Sequence, residues 1–358
     1  MDILITGIST RSVNVPLEYP VKTSVGVVAT APLVLIDLTT STGAVGRAYV
    51  FTYTPMALEA TRQMVLSLGN AIQGKPLSPF DIDQFFSQRL RLLGRTGIAL
   101  MACAGIDMAV WDALAVAQKL PLVQVLGGSI RPIKAYDSHS MDGLEVGLRR
   151  AEQSMANGFE AIKTKIGYAT LDEDLVIVRA LRKTIGPQAQ LLVDYNQGLS
   201  APEAVRRIRA LEDEGIAWVE EPTLQEDYSG HAMIRSQVRL PIQMGENWCG
   251  TDEMHKALTA GACDLAMPDV MKIGGVTGWL RAAALAQAHG VLMSSHIFQE
   301  FSVHLLAVTP TCHFLERMDL AGPILQEPLK FTNGSATPPD VPGAGISWNE
   351  EAVNRYAA

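Results

Sequence analysis

Leu191-Leu192-Val193-Asp194-Tyr195-Asn196, Trp218-Val219-Glu220-Glu221-Pro222 and Ile242-Gln243-Met244-Gly245-Glu246-Asn247 are three short apolar runs, each followed at once by an acid. The first acids stand at 194, 220 and 246, so both intervals are 26 residues. That length holds a strand, a helix and two short loops, the repeat of consecutive βα units. If each acid closes a parallel strand, the three side chains gather at one rim of the sheet. Converging carboxylates need compensation, and a divalent cation supplies it. An all-oxygen set without Cys or His favours Mg2+, with Mn2+ as a substitute, over zinc. Acids before loops are also common without a metal, so the flanking sequence has to decide.

Downstream of Gly127-Gly128 the strand rhythm is continuous. Candidate strands are Ile133–Asp137, Ala161–Ile166, Leu191–Asn196, Trp218–Glu221, Ile242–Glu246, Leu265–Asp269, Val291–His296 and Phe314–Glu316. Helical stretches such as Leu144–Ala156, Leu171–Ile185, Pro202–Asp213, Met254–Ala260, Leu280–Ala288 and Phe301–Ala307 fill most of the gaps. Strands alternating with helices in this number predict a TIM-type (β/α)8 barrel with its active site at the C-terminal rim of the strands. The stretch is compact beside the roughly 250 residues typical of such barrels, so the last unit is expected to lack a full helix.

Upstream, Leu4–Asn14, Leu33–Thr39 and Gly46–Phe51 read as strands, and Tyr19–Thr30 as a hairpin or a mobile flap. Met56–Gln73, Asp81–Leu92 and Ile98–Lys119 read as helices. The expected organisation is an α+β capping domain at 1–126, a modified barrel at 127–320, and a Pro- and Gly-rich segment at 321–358 that returns to the cap, making the barrel an insertion. Gly69–Lys75 has the spacing of a phosphate loop, but Pro76 stands where Ser or Thr is needed. Gly274–Gly278 is explained by a βα turn.

Composition narrows the function. The 358 residues carry a formal charge of −8 with no basic cluster, which argues against nucleic acid as a partner. Cys103, Cys249, Cys263 and Cys312 are scattered, as expected of reduced thiols in a cytoplasm. The N-terminus lacks a signal pattern, and no run of about 18 apolar residues is expected to span a membrane.

The chemistry sits at the strand ends. Lys163 and Lys165 lie two apart and share a face. Backbones about 6.5 Å apart give roughly 2.5 kcal/mol of repulsion at an effective dielectric near 20, enough to bring one lysine towards the range of a base. Asp269 and His296, on neighbouring strands, are placed to pair, which fixes the imidazole tautomer and raises its basicity. A lone barrel histidine also serves often as a structural hydrogen bonder. Glu316 ends the eighth strand. Lys165 and His296 come from roughly opposite strands, an arrangement that suits a carbon acid attacked from either side.

Lys163-Thr164-Lys165, Asp194-Tyr195-Asn196, Glu220-Glu221-Pro222, Gly245-Glu246-Asn247, Met267-Pro268-Asp269, Lys272-Ile273-Gly274-Gly275-Val276-Thr277 and Ser294-Ser295-His296 resemble the enolase superfamily, in particular its mandelate racemase subgroup. The likeness covers nearly the whole chain, including Tyr136-Asp137-Ser138-His139-Ser140. It implies an α+β cap over a modified barrel and a magnesium-dependent racemase of 2-hydroxy acids acting through an enediolate. By the same resemblance Asp194, Glu220 and Glu246 bind the metal, Lys165 serves one enantiomer, and His296 with Asp269 serves the other. Lys163 neutralises the substrate carboxylate and depresses Lys165, while Glu316 donates a hydrogen bond to that carboxylate. Ser138 and Asn196 make polar contacts, and Tyr53, Val21 and Val28 form the distal pocket under the flap. The resemblance also implies a small-molecule carboxylate as partner and a homo-oligomer, an octamer in the subgroup. Lys22, Arg95 and Met318 depart from the subgroup pattern and could steer the site to a more polar substrate. An acid-sugar dehydratase or another isomerase using the same enediolate is the alternative. A barrel that kept only the metal would be expected to have lost one of Lys165, His296, Asp269 or Glu316, and all four are present.

Overall fold

A computed structural model describes residues 2–358. The chain opens with an antiparallel sheet of β1 (Ile5–Lys22), β2 (Val27–Thr40) and β3 (Val45–Phe51). Alternating apolar residues give the sheet one buried face, and Val13 pairs with Leu33 and Leu35 with Tyr49 across it. The helices α1 (Leu58–Ile72), α2 (Pro79–Arg89) and α3 (Gly97–Gln118) follow, with the short α4 (Leu122–Val125). By length and composition α3 could cross a membrane, a correction to the sequence expectation, with Asp107 and Asp112 its only charged residues. Here it is the core helix of the cap, buried between β2, β3 and the barrel.

Between β1 and β2 the Tyr19–Thr30 segment forms a hairpin rather than an open loop. Its strands continue the pairing as far as Lys22 and Val27 after a register shift. The tip turns where Thr23 N donates to Gly26 O, and Ser24 Oγ reaches the barrel at Tyr195 O, 3.0 Å away.

The barrel strands are β4 (Ile133–Ser138), β5 (Ala161–Lys165), β6 (Gln190–Asp194), β7 (Ile216–Glu220), β8 (Ile242–Met244), β9 (Leu265–Ala266), β10 (Leu292–Met293) and β11 (Leu315–Arg317). They pair in parallel in chain order, and β11 returns to β4 through Leu315 opposite Ala135. The seam between β10 and β11 is closed by Ser295 N donating to Phe314 O and His313 N to Met293 O. Connecting helices are α5 (Gly143–Ala156), α6 (Leu171–Ile185), α7 (Ala201–Leu211), α8 (Tyr228–Gln237), α9 (Thr251–Thr259), α10 (Gly275–His289) and α11 (Gln299–Ala307). No helix of this length follows β11, so the barrel is a (β/α)7β variant, as the short sequence span predicts.

Tyr136, Leu192, Trp218 and Phe314 fill the barrel interior, with Tyr136 and Trp218 ring centroids 6.1 Å apart. Burying each large apolar side chain contributes about 2 kcal/mol, so this layer makes a solid floor beneath the polar mouth. The rest of the chain forms the hairpin β12 (Phe331–Thr332) and β13 (Ser335–Ala336), which pairs with β4, and then α12 (Glu350–Arg355). This tail lies against the cap, where Trp348 Nε1 donates to Asp37 Oδ1 at 2.9 Å and Asn14 N to Tyr356 O.

Candidate active site

The parallel register places the reactive groups. Lys165 pairs with Asp194 and Asp194 with Glu220, so the three stand in one row at the C-terminal ends of β5, β6 and β7. Glu246 lies two residues past β8. There Gly245 adopts φ 138°, a region closed to most side chains, and an added Cβ would lie 2.8 Å from Trp248. One oxygen from each of Asp194, Glu220 and Glu246 lies within 4.8 Å of the others, and all three residues are buried.

That cluster fits magnesium. Ligands on an octahedron of about 2.1 Å radius are about 3 Å apart when adjacent and about 4.2 Å when opposite, so a small contraction suffices. The donors are hard carboxylate oxygens. Their charge is balanced by neighbouring cations: Lys165 Nζ is 2.5 Å from Asp194, Lys163 Nζ 2.8 Å from Glu220, and His296 Nε2 3.1 Å from Glu246.

These contacts oppose the mutual depression of the two lysines, which still acts on Lys165. Burial does pull both down, but Asp194 holds Lys165 above its ordinary range, and Glu220 and Glu316 hold Lys163 well above it. Glu316 is held similarly. Burial favours its neutral form, while Lys163 at 2.8 Å and His296 lower it, and it accepts from Ile297 N at 2.9 Å. The remaining acids diverge. Burial and the neighbouring carboxylates raise Glu220 and Glu221, whereas His296 and Lys165 hold Glu246 low against the effect of burial.

His296 is fixed from behind. Its Nδ1 is 2.7 Å from Asp269 Oδ2, and the other Asp269 oxygen accepts from Met271 N and Lys272 N at 2.7 and 3.1 Å. The carboxylate is held by the loop, which leaves Nε2 directed into the mouth.

Lys165, His296, Glu246, Glu316 and Asn196 line one cavity of about 460 Å3 under the hairpin. Val21, Val28 and Tyr53 line it too, as do Met318, Val25, Val27 and Leu320. Ser138 lies apart, in a smaller cavity of about 110 Å3 that shares Val21 and Met318 with the first. It stands two residues after Tyr136 on β4 and pairs with Lys163 across the sheet, so strand alternation sends its side chain to the same interior side. Lys22 is exposed, because strand alternation turns Val21 and Thr23 to the cavity and Lys22 away from it. Arg95 is remote, bound to Ser87 and Asp83 between α2 and α3. The cation that does enter the cavity is Lys272, which sequence reasoning quoted but gave no role. Asn247 was quoted without a role in the same way, and Gln197 was not singled out at all. Their signal is position: each lies one to three residues beyond an acid or amide at a strand end.

Residues 5–127 match the family described as mandelate racemase / muconate lactonizing enzyme, N-terminal domain, and residues 148–352 match the enolase C-terminal domain-like family. An enolase from Bradyrhizobium, solved with magnesium and mandelic acid, superposes with a TM-score of 0.97 at 45% identity, covering 100% of this chain and 99% of that one. The 3,6-anhydro-alpha-L-galactonate cycloisomerase of Streptomyces coelicolor is 31% identical over 99% of both chains. The L-talarate/galactarate dehydratase of Salmonella typhimurium is 31% identical over 76% of this chain and 70% of its own. The chain is thus a magnesium-dependent enzyme, and it belongs to the enolase superfamily, in its mandelate racemase subgroup.

Proposed function

We propose that the enzyme racemises 2-hydroxy acids with an apolar, mandelate-like substituent. The observation that carries this reading is the placement of two bases on one cavity. Lys165 ends the second barrel strand, while His296, backed by Asp269 at 2.7 Å, follows the seventh. Inverting a carbon through proton transfer needs a base on each face.

Lys165 takes the α-proton from one enantiomer and His296 Nε2 returns a proton from the other side; the reverse direction exchanges the roles. Lys163 and Glu316 form an ion pair beneath the cavity, and Lys163 supplies positive charge where the substrate carboxylate becomes an enediolate. Asp194, Glu220 and Glu246 would hold magnesium, which would supply Lewis-acid stabilisation of the developing negative charge. A cation there would offset the charge of Asp194 and Glu246 and so oppose the upward shift those acids impose on Lys165 and His296. Tyr53 covers the mouth from the cap, packed on Phe51 with ring centroids 4.4 Å apart. Val21, Val25, Val27 and Val28 give an aromatic ring an apolar wall.

A second reading, dehydration or cycloisomerisation of an acid sugar, is favoured by the opposite wall, where Asn196, Gln197, Asn247 and Lys272 present polar groups. The similar cycloisomerase and dehydratase support it. Polarimetry separates the two. Magnesium-loaded enzyme should abolish the optical rotation of a single mandelate enantiomer without forming a keto acid. Formation of a 2-keto product from an aldarate, with mandelate left untouched, would replace the racemase reading with the dehydratase one.

A further inference from the structure

Lys272 lies in the loop between β9 and α10, and two contacts hold its ammonium group. It donates to Asn247 Oδ1 at 2.6 Å and stands 4.3 Å above the centroid of the Tyr53 ring. Asn247 in turn donates from Nδ2 to Glu221 Oε2 at 2.9 Å and Oε1 at 3.1 Å, and to Glu246 Oε1 at 3.3 Å. Glu246 is one of the three clustered carboxylates, and Glu221 is buried directly behind them.

The lysine settles the orientation of the amide. An ammonium can only donate, so Asn247 turns its oxygen to Lys272 and its NH2 to Glu221 and Glu246. Without the lysine nothing on that side fixes the amide, and a flip would bring its oxygen against the acids. Tyr53 belongs to the capping domain and follows β3, so the ring over Lys272 comes from a different layer of the protein than the acids do.

We infer that Lys272 is a positioning residue for the metal site: it locks the Asn247 amide so that two carboxylates meet N–H groups, and Tyr53 makes this lock depend on the cap. The claim is independent of which α-proton reaction the cavity carries out.

The test reads metal affinity and not turnover. Full-length protein is stripped with EDTA, and Mg2+ is titrated in by calorimetry, with thermal unfolding followed on the same samples. Groups that orient metal ligands change affinity by about 10- to 100-fold when removed, so Lys272→Met should weaken Mg2+ binding by that factor. Lys272→Arg, which can still donate to Asn247 and stack on Tyr53, should recover most of the loss. Asn247→Leu should weaken binding similarly, and the Lys272→Met/Asn247→Leu pair should lose no more than the worse single variant. Tyr53→Leu, which touches none of the three acids, should weaken Mg2+ by about threefold, as loss of one cation–π contact implies. If Lys272→Met does not fold, Lys272→Gln carries the same expectation, with an intermediate loss. Binding within about twofold of the parent protein by a folded Lys272→Met or Lys272→Gln protein overturns the inference. So does a double variant whose loss is the product of the two single losses.

Discussion

Two sets of buried carboxylates hold this enzyme together, and they are handled in opposite ways. At the barrel mouth Asp194, Glu220, Glu246 and Glu316 each lie within ion-pairing distance of Lys165, Lys163 or His296. At the junction of cap and barrel, Asp107, Asp112 and Glu300 meet only neutral donors. Asp107 accepts Thr277 N at 2.9 Å and Thr277 Oγ1 at 2.5 Å, Asp112 accepts Arg47 N at 2.7 Å and Ala344 N at 2.6 Å, and Glu300 accepts the Tyr49 hydroxyl at 2.6 Å. The space beside Asp107 is so tight that a Cβ on Gly275 would lie 2.4 Å from its carboxylate. Burial accordingly raises Asp107 to about 7, Asp112 to about 6 and Glu300 to about 7. Charge is concentrated where a metal and a reacting carbon need it, while the junction uses acids as directional hydrogen-bond acceptors.

The largest expected effect separates the two sets by chelation. EDTA should abolish α-proton exchange, and Mg2+ or Mn2+ should restore it. The junction should be untouched, so the chelated protein keeps its cooperative unfolding transition. Full activity after exhaustive chelation would remove the metal from the mechanism. Glu220→Gln should weaken the metal, since one anionic ligand becomes neutral.

Next in size are the bases, whose loss costs about 10²- to 10⁴-fold. His296→Asn should end racemisation yet let one enantiomer exchange its α-hydrogen in deuterium oxide, because Lys165 still serves one face. Lys165→Arg should show the mirror pattern, since guanidinium stays protonated. A folded His296→Asn protein that still interconverts both enantiomers at near the original rate excludes the two-base arrangement.

The junction should answer to pH instead. Each of its three acids is harder to ionise folded than unfolded, so the native state holds the protons more tightly. The stabilisation is whole below about pH 4, the unfolded range. It is lost as pH rises through about 6 for Asp112 and about 7 for Asp107 and Glu300. Thermal unfolding temperature should therefore decline between about pH 5 and 8, and Asp107→Asn should flatten part of that decline while retaining an acceptor for Thr277. An unchanged pH profile in Asp107→Asn would show that Asp107 does not titrate with folding.

Much of this contrast could be read from the sequence on one side only. The 26-residue interval between acids located the mouth, because strand ends in a parallel barrel converge by geometry. Helix α8 was missed because Tyr228–Gln237 includes Gly230 and a buried His231, which blur its apolar stripe. The strands before Asp269 and His296 are only two residues long, and their acid–base pair is held by loop backbone that no periodicity encodes. Asp107 and Asp112 carry no signal of their own in the sequence, since their partners at Thr277 and Ala344 are remote in it. The charge balance at the mouth was legible only in part for a related reason. Repulsion between Lys163 and Lys165 is visible at a spacing of two, whereas Glu220, Glu316 and Asp194 reach them only through the fold.

The smallest effects concern Lys22, Arg95 and Met318, the three residues expected from the sequence to steer the substrate, and they test where selectivity resides. Lys22 is exposed and turned from the cavity, so Lys22→Ala should change KM by less than about twofold, the scale of an unpaired surface charge screened by salt. Arg95 pairs with buried Asp83 at 2.7 Å, but Arg281 also holds Asp83 at 2.6 Å. Arg95→Ala thus leaves that carboxylate a partner, and it should cost at most about 1 kcal/mol of stability with no change in substrate preference. Met318 alone of the three lines the cavity, and it also borders the smaller cavity beside Ser138. Met318→Ala should join the two spaces and raise KM for mandelate several-fold, by the roughly 1 kcal/mol lost with a few side-chain contacts. Larger substituents should then be admitted better relative to mandelate. If Lys22→Ala shifts the preference between mandelate and an aldarate while Met318→Ala does not, selectivity is set by the charge of the hairpin, and the apolar wall of the cavity is not what chooses the substrate.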